Sequence, residues 1–184
     1  MIASVLGLDI GGANLKAFHT AGTAKIVSFP LWRNPAGLAD ALDTIIESLP
    51  AAAIFAVTMT GELCDCFASK REGVNAILDA VIAVAAGVPV RVWRTEGGFA
   101  EPELARSAPL SIAAANWHAL ATFVGRLAAR GPALSLDIGS TTTDIIPLLD
   151  GSPVAHGRTD PERLKYHELV YTGAQRTPIC ALLG

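Results

Sequence analysis

The sequence predicts an α/β protein. A mixed sheet flanked by helices should occupy residues 1–130, and the first hairpin strands of a second, similar domain should occupy 131–184. Three observations lead there. Short apolar runs alternate with segments of helical period. The first three runs are separated by gaps too short for a parallel crossover, so they must pair antiparallel. Finally, "LGLDIGGANLK" at 6–16 recurs as "LSLDIGSTTTD" at 134–144: apolar residues, then Asp-Ile-Gly, then small and hydroxyl residues.

Residues 3–9 read as a buried strand entering a tight glycine turn. "NLKAFHT" (14–20) and "AKIVSFPLW" (24–32) are the second and third strands. "NPAGLADALDTIIESLP" (34–50) is a helix, with Leu38, Leu42, Ile45, Ile46 and Leu49 at helical spacing. Asn34 suits its N-cap and Pro35 its first position. "AIFAVTMTG" (53–61) is a strongly apolar strand, 72–87 a helix closed by Gly87, and "PVRVWR" (89–94) a strand. An irregular stretch (95–109) leads to a long Ala-rich helix over 110–130, apolar enough to be sandwiched against the sheet. The pattern then restarts with strands at 133–139, 141–149 and 152–158. Residues 1–32 and 133–158 thus share one plan, an internal repeat a domain's length apart.

Composition narrows the function classes. Hydrophobic residues make up 51% of the 184 and charged residues 17%, enough for a sizeable core. A net charge of -3 argues against a nucleic-acid partner, which would show a basic face. No dense Lys/Arg block suggests an anionic membrane surface. Asp9 interrupts the apolar N-terminal run, and no basic leader precedes it, so no signal peptide is expected. "VNAILDAVIAVAAGVPV" contains Asp79, and "PLSIAAANWHALATFVG" contains Asn116 and His118. Both fall short of the roughly 20 apolar residues a membrane span needs. Cys64, Cys66 and Cys180 are an odd set that implies no disulfide framework. Cys64-Asp65-Cys66 would be half of a metal site, and no second pair completes it. The expected compartment is the cytoplasm.

A strand ending in Asp-x-Gly suits phosphate and metal chemistry. Glycine lets the backbone approach a ligand closely. Successive N–H groups and hydroxyls in the turn can then point at phosphate oxygens. The carboxylate can hold Mg²⁺, directly or through water. One such turn is weak evidence; two, each opening a hairpin, are much stronger. Neither loop matches G-x-x-x-x-G-K-[ST] or G-x-G-x-x-G.

The pair resembles the phosphate-1 and phosphate-2 loops of the actin, sugar-kinase and Hsp70 superfamily. The resemblance implies a ribonuclease H-like (actin-like ATPase) fold, with two related domains and a ligand cleft between them. It implies Asp9, Gly11 and Gly12 as working residues of the first loop, and Asp137, Gly139, Ser140, Thr141 and Thr142 of the second. Mg²⁺ would be held by Asp9 and Asp137, with ATP as a further candidate ligand.

A closer resemblance is carried by "VTMTGELCDCF", "ASKREGV", "AANW" and above all "HGRTDPERLKYHELVYTGAQRTP". These segments are similar to one branch of the hydantoinase/oxoprolinase-like proteins, linked to tetrahydromethanopterin and methanofuran C1 metabolism. That similarity implies a transferase condensing a furan-methyl diphosphate with a phenolic acceptor and releasing pyrophosphate. An ATP-dependent small-molecule kinase or ATPase is the alternative, and a non-catalytic truncated binding protein the third. Family members are much longer chains, so the second domain is expected to be incomplete. Such a domain exposes a sheet edge and an apolar face, which predicts a homo-oligomer.

Lys16, just past the first loop, either meets a phosphate or is a solvated strand lysine. Asp144 is a supporting or third carboxylate. Glu62, at a strand end expected to face the cleft, is a candidate general base for the phenol, with Asp9 and Asp137 as the other catalytic carboxylates. Of Thr58 and Thr60, one hydroxyl at most should face the site, because they alternate along a strand. Lys70 and Arg71 are either diphosphate contacts or a solvated loop pair. Arg158 and Arg176, in the most family-specific segment, are the best guanidinium candidates for phosphate. Asn116 and Trp117 read as a satisfied core pair.

Overall fold

The computed structural model describes residues 3–175 and 177–179. The chain divides into two compact units, Met1–Asn116 and Trp117–Gly184.

In the first unit, β1 (Val5–Ile10), β2 (Asn14–His19) and β3 (Thr23–Ser28) form an antiparallel meander. A helix, α1 (Leu38–Glu47), leads to β4 (Ile54–Met59), which pairs parallel with β1. A second helix, α2 (Lys70–Ala85), leads to β5 (Val90–Trp93), parallel to β4. β6 (Phe99–Ala100) adds an antiparallel edge, and the short α3 (Pro102–Ser107) follows. The resulting order is β3-β2-β1-β4-β5-β6, a mixed sheet. Strand alternation puts Leu6, Leu8, Ile10, Phe55, Val57 and Met59 in one core with Leu42 and Ile45 of α1 and Ile77, Leu78 and Val81 of α2.

The boundary falls after the first residue of α4 (Asn116–Gly125), whose Trp117 and Ala121 pack on Ile146 and Leu148 of the second unit. β7 (Pro132–Ile138) and β8 (Thr143–Leu149) form a long hairpin, and β9 (Ser152–Pro153) pairs with β8. α5 (Asp160–Lys165) and β10 (Leu169–Val170) complete it, giving the order β10-β8-β7.

Several elements differ from the sequence expectation. The third strand stops at Ser28. Pro30 has no N–H for a ladder. Phe29 and Leu31 instead donate to the Ala13 and Gly12 carbonyls at 3.0 and 2.9 Å, tying the chain to the first glycine turn. α2 starts at Lys70 rather than 72, because Ser69 caps it: its Oγ accepts the Glu72 N–H while Glu72 accepts the Ala68 N–H.

The long helix expected over 110–130 is only Asn116–Gly125. Residues Pro109–Ser111 form a 3-10 turn, and Ala114 adopts a left-handed φ of 52° that no helix can continue through. Its burial is also one-sided: Leu120 and Phe123 are exposed, so the sandwich expectation fails. The strand expected over 152–158 is the two-residue β9, while α5 and β10 arise from a stretch with no expected elements. Among the described residues, no helix is long and apolar enough to cross a membrane.

Candidate functional site

The first glycine turn is built on strand register. Asp9 is on the face of β1 opposite Leu6, Leu8 and Ile10. It pairs across to Lys16 on β2 and to Thr58 on β4, so the three side chains share one face. Lys16 Nζ donates to Asp9 Oδ2 at 2.9 Å, and Thr58 Oγ1 donates to Oδ1 at 3.4 Å. Thr58, not Thr60, is therefore the hydroxyl beside the carboxylate. Lys16 is 54% exposed and Asp9 26%. Such an exposed pair is worth ~0–1 kcal/mol, so Lys16 can swing to an arriving phosphate at small cost.

The two loops share a closing bond. The Gly11 N–H donates to the Asn14 carbonyl at 3.0 Å, and the Gly139 N–H to the Thr142 carbonyl at 2.9 Å. A Cβ would meet those same carbonyls at 3.0 Å on Gly11 and 3.1 Å on Gly139. The repeat seen in the sequence is thus a repeat of hydrogen-bonded geometry, and a Cβ would be crowded at equivalent places.

The hairpins differ in charge. Asp9 faces Lys16, but Asp137 faces Asp144. The compensating cation comes from α5. Arg163 Nη2 donates to Asp144 Oδ1 at 2.6 Å and to the Glu168 carbonyl at 3.0 Å. Its guanidinium lies 4.2 Å from the Trp117 ring centroid, and the residue is 2% exposed. Burial pushes the Asp144 carboxyl above its usual range; Arg163 pulls it down, and Asp137 and Asp160 oppose that pull. Glu168, also buried, accepts the His156 and Gly157 N–H groups at 2.6 and 2.9 Å.

The most family-specific stretch lies along the second loop. The Ala174 N–H donates to the Gly139 carbonyl at 2.9 Å, and the Gln175 N–H to the Ser140 carbonyl at 3.1 Å. Thr143 Oγ1 donates to the Thr172 carbonyl at 2.6 Å. A Cβ on Gly173 would fall 2.4 Å from the Thr141 nitrogen, so only glycine lets the strand and loop approach this closely. Ser140 and Thr141 hydroxyls stand 3.5 Å apart at the turn.

Other expected residues are placed elsewhere. The expectation that Glu62 faces a cleft is corrected: it is 2% exposed, and its Oε1 accepts the Ala114 N–H at 2.8 Å. Strand β4 ends at Met59, and the 3-10 turn Gly61–Leu63 carries Glu62 inward. Arg71 donates to the Arg106 carbonyl at 3.3 Å, and Lys70 opens α2. Arg158 gives its backbone N–H to Glu162, in the capping box that starts α5, and its side chain is exposed. Arg176 lies outside the described residues. Trp117 is buried, with its ring edge-on to His118 at 5.3 Å.

Sequence reasoning missed Arg163 and Glu168. The signal was Asp144 itself: a carboxylate in an apolar strand demands a buried cation. Nothing in "DPERLKYHE" says which of its charges turns inward.

The donor set suits one class of metal. Among the described residues, no three His, Cys, Asp or Glu side chains cluster to hold an ion. Asp9 keeps a partly accessible carboxylate beside the Gly11–Gly12 turn and the Thr58 hydroxyl. Such a site fits Mg²⁺, which takes one or two carboxylates and fills its shell with water and substrate phosphate.

Residues 54–184 match the family model described as Hydantoinase/oxoprolinase. The chain belongs to the hydantoinase/oxoprolinase family. Within this family it is 40% identical over 181 residues to the Methanocaldococcus jannaschii protein named (4-{4-[2-(gamma-L-glutamylamino)ethyl]phenoxymethyl}furan-2-yl)methanamine synthase. That match covers 97% of this chain and 53% of the relative, so the chain spans about half the relative's length. A Methanococcus vannielii protein of the same name is 55% identical over 47 residues, 26% of this chain and 21% of that protein. The second loop, Arg163 and the 172–175 stretch all fall within the hydantoinase/oxoprolinase match.

Proposed function

We propose that the chain is the phosphate-holding part of an ether-forming transferase of methanofuran biosynthesis. The observation that carries this reading is the pair of hairpins with one closing bond and an Asp each. The relatives' printed name supports the chemistry. It describes a phenoxymethyl ether on a furan that bears a methanamine. Making that ether joins a phenol oxygen to a furan-methyl carbon, and a diphosphate is a leaving group that two glycine–aspartate loops can hold.

The step balances simply. The phenol gives up its proton to solvent, its oxygen attacks the furan-methyl carbon, and the carbon–oxygen bond to diphosphate breaks. Pyrophosphate departs with the electron pair. Mg²⁺, when bound, would neutralise the departing charge. Asp9 of the first unit and Asp137 of the second are the candidate carboxylates for that ion. Lys16 and the loop N–H groups and hydroxyls would bind the phosphate oxygens as their charge grows, which is electrostatic stabilisation of a leaving group. We place the sheet of the first unit in the ribonuclease H-like (actin-like ATPase) class. Its order, with three antiparallel strands followed by two parallel ones, supports this.

The test is direct. Pyrophosphate should bind the chain in a Mg²⁺-dependent way by titration calorimetry. Asp9→Asn and Asp137→Asn should each weaken that binding at least tenfold. Turnover of a furan-methyl diphosphate with a simple phenol should release pyrophosphate without ATP. Release of ADP from ATP instead, or unchanged affinity in both variants, overturns the reading.

A further inference from the structure

A cavity of about 540 Å³ opens in the second unit, walled by Leu164, His167, Leu169, Val170, Tyr171 and Pro178. It is mostly apolar, and its size falls within the range of small-molecule sites. Thr172 also lines it, and the Thr172 carbonyl is the group that accepts the Thr143 hydroxyl at 2.6 Å. One residue further on, Gly173 lies against the Ser140–Thr141 backbone. The cavity wall and the second glycine loop are thus joined within about one residue of chain, roughly 3.5 Å.

A second hollow adjoins it. Thr141, Gln175, Thr177, Pro178 and Ile179 line this one, so Pro178 is a wall common to both. Its Thr141 hydroxyl belongs to the second loop, where a phosphate would bind, and Gln175 and Thr177 add an amide and a second hydroxyl. Two adjoining hollows that share a proline, one of them reaching the second loop at Thr141, suit a ligand pair in which a flat apolar ring lies next to a phosphate group.

We propose that the Leu164–Pro178 cavity is an aryl subsite that takes the ring of the phenolic acceptor. The proposal rests on the transferase reading above and names the acceptor's place within it. Leu164, Val170 and Pro178 supply apolar walls, and Tyr171 a ring for edge or offset stacking. The rims carrying Thr172, Tyr171 and His167 supply the few polar groups that fix a phenol's hydroxyl.

The experiment uses the chain with 4-methylphenol and tyramine as probes and saturation-transfer and amide-shift NMR as readouts. Saturable binding is expected, with shifts concentrated on Leu164–Thr172. Leu164→Trp and Val170→Trp fill the cavity and should weaken binding at least tenfold while circular dichroism stays native. Should either variant fail to fold, Tyr171→Ala, at a half-exposed side chain, should still weaken binding at least threefold. Asp137→Asn should weaken pyrophosphate binding and leave phenol affinity unchanged. Absent phenol binding, shifts centred elsewhere, or unchanged affinity in the folded variants overturns the subsite. Phenol binding in the cavity without any pyrophosphate binding keeps the subsite and sinks the transferase reading.

Discussion

Replacing Arg163 by Met tests the charge logic of the second hairpin. The substitution keeps an apolar stem over Trp117 and removes the guanidinium that faces Asp144. Breaking a buried pair by removing one partner costs about 3–5 kcal/mol, because a carboxylate is left without its counter-charge. Asp144 keeps 17% of its side-chain exposure, which lets water relieve part of that cost. The lost stacking on Trp117 adds about 0.5–2 kcal/mol. The expected destabilisation is therefore about 3–4 kcal/mol. Hydrogen exchange at the Ile146 and Leu148 amides reads it, with core amides of β1 and β4 as the control. The double variant Arg163→Met/Asp144→Leu should recover most of the loss, since an apolar pair replaces an ionic one at little net cost. A loss below about 1 kcal/mol in the single variant, or no recovery in the double, would refute the argument.

Three further expectations follow from named contacts. Gly173→Ala should displace the second loop, because the new Cβ would sit 2.4 Å from the Thr141 nitrogen; the readout is a large amide shift at Ser140 and Thr141 with pyrophosphate affinity down at least tenfold, and an unperturbed loop would contradict it. Glu62→Ala should destabilise the first unit by about 2–3 kcal/mol, as the buried Ala114 N–H loses its acceptor, and chemical denaturation checks this. The Arg158 and Thr159 N–H groups hold the Glu162 carboxyl below its ordinary value. A lowered folded pKa means the stabilisation is present above the unfolded value and lost as pH falls through the folded one. Acid should therefore loosen the start of α5, and Glu162→Gln should flatten that dependence in pH-resolved exchange. Asp144 runs the other way: its raised pKa favours the fold most at low pH, an advantage lost as pH rises.

Much of the architecture was legible because it rests on local rules. Alternation along "VLGLDI" and "IFAVTM" assigns a buried face, and a three-residue link forces antiparallel pairing. Asn34 accepts the Gly37 N–H, but it caps the 3-10 turn Pro35–Gly37 and not α1, which starts at Leu38 with Gly37 before it. The repeated Asp-Ile-Gly marked both turns, since glycine leaves room for the carbonyl that a Cβ would crowd. What misled was composition without punctuation. Residues 110–130 are apolar throughout, yet an exposed Phe123 and a left-handed Ala114 leave room for only ten helical residues.

The sequence by itself determined the paired glycine turns and the antiparallel hairpins they open. Those depend on side-chain period and backbone sterics, which act over a few residues. Only the tertiary structure decided which charges face which. Thr58 reaches Asp9 across 49 residues of chain, Glu62 turns inward to a backbone N–H 52 residues away, and Arg163 is drawn beneath Trp117 to neutralise Asp144. A buried charge must find an opposite charge or a hydrogen-bond partner wherever the fold brings one, and that pairing leaves no periodic trace in the chain.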